Sequence, residues 1–409
     1  MSQIVETKPE QVGLSAERLG RIKPWMEKLV ADNKLPGVLT VVARRGKAAY
    51  CDMVGYRDVA AKAPVTEDTV YRIYSMTKAI TSTAIMMLYE EGKFQLDDPI
   101  SRYLPMFKDT RVYAGGTAEK YDTVAAKTPI TFKQLLTHTS GLTYGFTGSP
   151  VSAIYQAAKF DFQTEEGTLW SMMERLAKLP LLAQPGTEWN YSVSTDVLGA
   201  LVETISGMGF DKFLQTRIFD PLGMTDTGFT VREDQRARFA ANYEKGKEGG
   251  MKLIEGPGNA RYFRKDQVMC SGGGGLVSTA GDYLKFCKMI AGKGALGNVR
   301  LLGRKTVEFM RMNHLQSGGD LASMGMPRFS ESTMTGIGFG LGFAVVLDPA
   351  KAELLCSPGE HYWGGAASTA FWIDPVEDII AILMTQLMPS SSYPIRRELR
   401  TLVNQAIVD

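Results

Sequence analysis

Cysteine and histidine are scarce in this chain. The four cysteines, Cys51, Cys270, Cys287 and Cys356, form no C-x-x-C pair and fit no zinc spacing, so they read as free thiols of a reducing compartment. The three histidines, His138, His314 and His361, never fall at metal-ligand spacing, which argues against a histidine-rich metal site. Charge of one sign is lacking too. Forty-six Lys and Arg oppose 44 Asp and Glu, and a net charge of +2 is too small a bias for a nucleic-acid binder. No run approaches the ~18 apolar residues of a membrane span. The amino terminus lacks the apolar core of a secretory signal, because Glu6, Lys8 and Glu10 interrupt it, so a cytoplasmic protein is expected. No G-x-S-x-G occurs, which leaves an α/β-hydrolase mechanism without a candidate serine. Gly272–Gly275 lacks the Lys-Ser/Thr that completes a phosphate loop.

What remains is an ordinary globular composition, 22% charged and 44% hydrophobic over 409 residues. Leu14, Leu19, Ile22, Trp25, Met26 and Leu29 recur at helical spacing behind a capping Ser15. Gly37–Ala43 and Ala48–Gly55 read as a β-hairpin about the Arg44–Lys47 turn. Near the other end, Gly340–Asp348, Ser368–Asp374 and Ile379–Gln386 read as strands, followed by a helix from about Tyr393 to Val408. Tight turns join these strands, so the sheet is expected to be antiparallel and built from both termini. Residues 75–270 read as mainly helical, with helices over Ser75–Glu91, Thr131–Thr139 and Thr195–Ser206, and with long loops at 111–128 and 243–275.

Three short segments can carry chemistry. In Ser75-Met-Thr-Lys78 a serine and a lysine lie one turn apart at a helix start, where free N–H groups favour negative charge. A desolvated lysine amine there can accept the hydroxyl proton, although a capping serine beside a solvated lysine fits the same letters. Tyr191 follows the Pro185-Gly186 turn and precedes a helix, so its hydroxyl can reach a site or simply form the wet tip of a packed ring. In Trp363-Gly364-Gly365-Ala366 the glycines allow close approach to the backbone, and the Ala366 N–H can donate to an oxyanion. An edge-strand bulge is the alternative. His138, in T-H-T-S-G-L, reads as structural support for a helix end.

Taken together, the order and spacing of S-M-T-K, Y-S-V and W-G-G resemble the serine β-lactamase and penicillin-binding-protein superfamily. The Y-S-x and W-G-G variant resembles the family VIII carboxylesterases, relatives of class C β-lactamases. Glu91-Gly-Lys-Phe-Gln-Leu-Asp-Asp-Pro99, Leu135–Leu142 and Pro221-Leu-Gly-Met224 look alike as well. The resemblance implies an α/β fold of the α+β type, an antiparallel sheet flanked by helices with an all-helical region alongside. Residues 1–74 and 270–409 would form the α/β domain and 75–269 the helical one, with the site in the cleft between them. It further implies Ser75 as nucleophile and Lys78 with Tyr191 as the proton-shuttling pair. The N–H groups of Ser75 and Ala366 would form the oxyanion hole, and Trp363, Gly364, Gly365 and Val193 would meet the substrate.

Two departures set the expected substrate. Val193 stands where β-lactamases carry an Asn amide, and Trp363 where they carry a Lys cation, contacts worth ~1.5–3 kcal/mol each. The cleft should therefore suit short, uncharged esters, hydrolysed through an acyl-serine with neither metal nor organic cofactor. The partner is a small-molecule ester, with no nucleic acid and no membrane. A β-lactamase or D-alanyl peptidase, an acyltransferase and a non-catalytic acyl sensor are the alternatives.

Overall fold

The computed structural model describes residues 3–160, 167–258, 261–263, 269–326 and 328–409. Its centre is an eight-stranded sheet. In chain order the strands are β1 (Gly37–Arg44), β2 (Lys47–Asp58), β3 (Ala63–Pro64), β4 (Ile337–Phe339), β5 (Ala344–Val346), β6 (His361–Gly364), β7 (Ala370–Asp374) and β8 (Ile379–Met384). In space they run β4-β5-β6-β7-β8-β1-β2-β3, and every neighbouring pair is antiparallel. The amino-terminal hairpin thus joins the carboxy-terminal strands through the β1–β8 ladder, Leu39 facing Met384 and Arg44 facing Ile379.

Both faces of that ladder are covered, and side-chain alternation divides the core in two. Val38, Val42, Ala381 and Leu383 point to the terminal helices, α1 (Ile22–Ala31) and α5 (Ile395–Asn404), where they meet Ile22, Met26, Leu399 and Val403. Leu39, Val41, Ile380 and Ile382 point the other way into the larger core. That core includes α2 (Thr77–Glu90), α3 (Ser194–Ser206) and α4 (Ala280–Ala291). Each fully buried aliphatic side chain adds roughly 1.5–3 kcal/mol.

The expected hairpin, the strands at 368–374 and 379–386 and the closing helix all form, with ends shifted by at most four residues. Ser15 caps the turn Ala16–Leu19 through the Arg18 N–H, and Gly20 then separates that turn from α1. Asp374 closes the β7–β8 turn by accepting from Val376 and Glu377.

Four readings are corrected. Gly340–Asp348 is not one strand but the turn and second arm of a hairpin, β4–β5. The Gly340 N–H donates to Phe343 O at 2.7 Å. A Cβ at Gly340 would sit 2.2 Å from the Met310 carbonyl, so packing outside the segment sets this bend. The expected loop at 111–128 is largely a hairpin, Arg111–Gly116 against Tyr121–Ala125. The expected loop at 243–275 contains a second, Asn242–Lys245 against Met251–Glu255; its residues 259–260 and 264–268 lie outside those described. Finally, Trp363-Gly364 is no edge bulge: β6 lies inside the sheet, between β5 and β7.

Among the described residues, no helix is long and apolar enough to cross a membrane. The four cysteines are unbridged.

Candidate active site

Ser75 lies in a 3-10 turn, Tyr74–Met76, that runs directly into α2. Tyr74 has φ +43°, a left-handed conformation that costs a side-chain-bearing residue about 1–3 kcal/mol. Its ring is buried and its hydroxyl accepts from Asn242 Nδ2 at 2.9 Å, so the surroundings hold it there. The effect is to turn Ser75 outward at the foot of a buried helix.

Lys78 follows one turn later with its side chain buried. Its three N–H donors are fully used: Ser75 Oγ at 3.3 Å, Tyr144 OH at 2.9 Å and Gly273 O at 2.6 Å. No described carboxylate lies within ion-pair distance of Nζ. The Tyr191 hydroxyl donates to Ser75 Oγ at 2.6 Å, and Lys78 Nζ stands 4.7 Å from the Tyr191 ring centroid. Serine, lysine and tyrosine, 116 residues apart at the extremes, thus share one hydrogen-bonded cluster. Such a cluster can pass a proton from the serine to the pair and back.

Trp363 does more than line the cavity. Its indole N–H donates to the Tyr191 oxygen at 3.4 Å. Its ring stacks on Phe329, centroids 5.5 Å apart. Gly365 is obligatory for a different reason: a Cβ there would lie 2.5 Å from Ile73 O, so the strand end can press against the segment that carries Ser75. Ala366 and Ser75 both face the same cavity, and neither N–H donates to a described partner. Val193 lines the cavity as well, beside Tyr191. Ser192 turns away to bond His138 Nδ1 at 3.1 Å and Ser194 Oγ at 2.8 Å.

His138 is buried behind Tyr191, ring centroids 5.2 Å apart. Burial, with the Lys78 charge, holds its imidazole well below the usual histidine range, so it stays neutral. It touches neither Ser75 nor Lys78 through a hydrogen bond, and its place is that of a packing and orienting group.

Two parts of the site carry weaker sequence signals. Tyr144, two residues beyond the T-S-G-L segment, accepts from Lys78, and its ring stacks on the exposed Phe146 at 4.8 Å. The glycine run at 272–275 proves to be a strap under the lysine. Asp196, in the first turn of α3, holds it by accepting from the Gly273 N–H at 3.0 Å and from Ser271 Oγ at 2.6 Å. A Cβ at Gly273 would lie 2.4 Å from Asp196 Oδ2.

The cavity measures about 910 Å³ and is walled by aromatic rings, among them Tyr144, Phe146, Tyr155, Phe160, Phe329 and Trp363. It is not free of cations, as the loss of a lysine at position 363 would suggest. Arg396 and Arg400 of α5 lie on its lining. Arg400 is paired with Glu360 at 2.9 Å, and Arg396 is bonded to backbone carbonyls.

Comparison with known proteins places the chain among serine hydrolases and acyltransferases by similarity. The chain is 38% identical over 364 residues to protein Rv1367c of Mycobacterium tuberculosis, covering 88% of this chain and 87% of that one. It is 30% identical over 392 residues to esterase EstB of Burkholderia gladioli, covering 92% and 93%. Among solved structures it superposes on EstCE1, described as a hydrolase with promiscuous acyltransferase activity, with a TM-score of 0.79 at 27% identity. That superposition covers 95% of this chain and 99% of EstCE1. A sequence profile of the beta-lactamase family matches residues 22–405, which hold the whole of the sheet and all of the site, and the chain belongs to that family.

Proposed function

We propose that this chain is a serine carboxylesterase of the family VIII type, hydrolysing short-chain carboxylic esters through an acyl-Ser75 intermediate. The observation that carries the reading is the bond set about Ser75 Oγ, to Tyr191 at 2.6 Å and to Lys78 at 3.3 Å, opening on an aromatic cavity. The relation to EstB supports it. In the reacting form the Lys78–Tyr191 pair holds one proton fewer than its full complement, and it takes the Ser75 proton as Oγ attacks the ester carbonyl. The N–H groups of Ser75 and Ala366 hold the carbonyl oxygen as it becomes an anion. When the tetrahedral adduct collapses, the C–O bond to the alcohol breaks and the pair returns the proton to the alcohol oxygen. Water then attacks the acyl-serine by the same relay, giving the acid and free Ser75. Lys78 and Tyr191 share the proton as a coupled unit. Residues 1–74 with 270–409 act as the α/β domain, 75–269 as the mainly helical one, and the enzyme works in the cytoplasm.

The test compares p-nitrophenyl butyrate with a chromogenic cephalosporin on one preparation. Two missing contacts of ~1.5–3 kcal/mol each predict a cephalosporin kcat/KM roughly 10²–10⁴-fold below that of a true β-lactamase. A cephalosporin hydrolysed faster than the ester would overturn the esterase reading.

The cavity favours a second reading. Its volume of about 910 Å³ exceeds what a butyrate ester needs, leaving room for an alcohol acceptor in place of water. EstCE1 is itself described as an acyltransferase as well as a hydrolase. Transfer would appear as a butyrate ester of an added alcohol, formed in excess of the acceptor's share against water.

A further inference from the structure

Arg396 stands in the first turn of α5 and lines the same cavity as Ser75. One guanidinium nitrogen, Nη2, donates to two backbone carbonyls, Gly365 O at 2.9 Å and Thr369 O at 3.0 Å. These residues are the two ends of the turn between β6 and β7, and that turn carries Ala366. The turn has other ties: Gly365 N–H to Thr369 O at 2.8 Å, Ser368 N–H to Gly365 O at 3.1 Å, and Ala367 O accepting from Leu387 N–H at 3.1 Å. None of them grips both ends from outside. Ser368 sits at φ +71°, so the turn is not a relaxed one.

Gly364 belongs to the same arrangement. A Cβ there would lie 2.7 Å from Arg396 Nη2. Gly364 therefore makes space for the guanidinium, and Gly365 makes space for the Ser75 segment. The two glycines of the W-G-G motif bring the oxyanion turn between its anchor on one side and the nucleophile on the other. The anchor is itself braced, because the Arg396 backbone N–H donates to Glu331 Oε1 at 3.1 Å.

We infer that Arg396 is a positioning residue of the oxyanion hole, its guanidinium clamping both ends of the Gly365–Thr369 turn so that the Ala366 N–H is aimed at the carbonyl oxygen of an ester bound at Ser75. The inference rests on the proposed role of the Ser75 and Ala366 N–H groups. The two N–H groups of Nη2 lie fixed in the guanidinium plane, whereas a lysine amine turns freely on a flexible stem. The clamp acts on the developing anion and not on the ground-state ester, so its loss should appear in kcat and not in KM.

The experiment uses the full chain, wild type, Arg396→Ala, Arg396→Lys and Ser75→Ala, with p-nitrophenyl butyrate and its thiono analogue, whose C=S gains little from N–H donors. Removing one oxyanion donor costs about 10²–10³-fold, so loosening one should lower kcat on the oxo-ester by roughly 10–100-fold in Arg396→Ala. KM should stay within about threefold, the thiono-ester rate should fall much less, and Arg396→Lys should fall between. Methylguanidine should restore part of the Arg396→Ala rate, which also excludes simple misfolding. Equal losses on both esters, or a rise in KM alone, would overturn the clamp. A KM rise confined to a carboxylate-bearing ester would instead make Arg396 a reader of substrate charge. Retained turnover in Ser75→Ala would refute the catalytic assignment itself, an outcome distinct from failure of the clamp.

Discussion

Replacing Trp363 by phenylalanine separates the two things that its side chain does. The ring stacks on Phe329 at 5.5 Å and meets Phe339 edge-on at 5.4 Å. The indole N–H reaches the Tyr191 oxygen at 3.4 Å. Phenylalanine keeps most of the ring contact and removes the donor. An ordinary hydrogen bond is worth about 0.5–1.5 kcal/mol net, and in this buried wall the upper part of that range, about 1–1.5 kcal/mol, applies. That corresponds to a kcat on p-nitrophenyl butyrate lower by roughly 5–15-fold. The smaller ring also leaves space in the wall, which should cost about 1–3 kcal/mol of stability in urea unfolding. The decisive comparison is made in a Tyr191→Phe background, where no phenol oxygen remains to receive the indole donor. There Trp363→Phe should lower kcat by less than twofold. The same 5–15-fold loss in both backgrounds would refute the donor role and leave Trp363 as a wall residue.

Lys78→Ala and Tyr191→Phe should each lower kcat by ~10²–10⁴-fold with little change in urea midpoint, and the double variant should lose far less than the product; strict multiplicativity would mean that they serve separate steps. Gly273→Ala pushes a methyl against Asp196 and should shift the carbonyl that holds Lys78, lowering kcat by roughly tenfold or more while KM changes little; an unaffected kcat would remove the strap from the site. Burial pushes the His361 imidazole down to about 4, below the ~6.5 of an unfolded histidine. Its share of stability is therefore present above pH ~6.5 and lost as pH falls toward 4. His361→Gln should reduce the drop in unfolding free energy between pH 7 and 4.5 by about 2 kcal/mol, and an unchanged drop would contradict the assignment.

Where pattern and packing agree, the chain could be read directly. The β1–β2 hairpin is legible because β-branched, apolar residues flank a turn of Arg, Gly and Lys, and α3 because Gly207 stops it in a left-handed cap at φ +69°. The bend at Gly340 is not, since the run from Gly340 to Leu347 is apolar throughout and a carbonyl from residue 310 decides its path. Ser75, Lys78, Tyr191 and Trp363 stand out through their motif spacing, and the structure brings all four together. Tyr144, Gly273 and Arg396 lie 66, 195 and 318 residues from Lys78. Each acts through one hydroxyl, one carbonyl or one guanidinium, which no local pattern marks. The glycine run was conspicuous, but its use as a close-packed strap depends on Asp196, and that partner appears only in three dimensions.

The central claim is that turnover passes through an ester on Ser75. Acid-quenching the enzyme during hydrolysis of p-nitrophenyl butyrate and digesting it with trypsin tests this most directly. The account predicts a single butyryl group on the peptide Ile73–Lys78, absent from Ser75→Ala, which should have lost nearly all turnover. A butyryl group on another residue, or Ser75→Ala turning over near the wild-type rate, would contradict it.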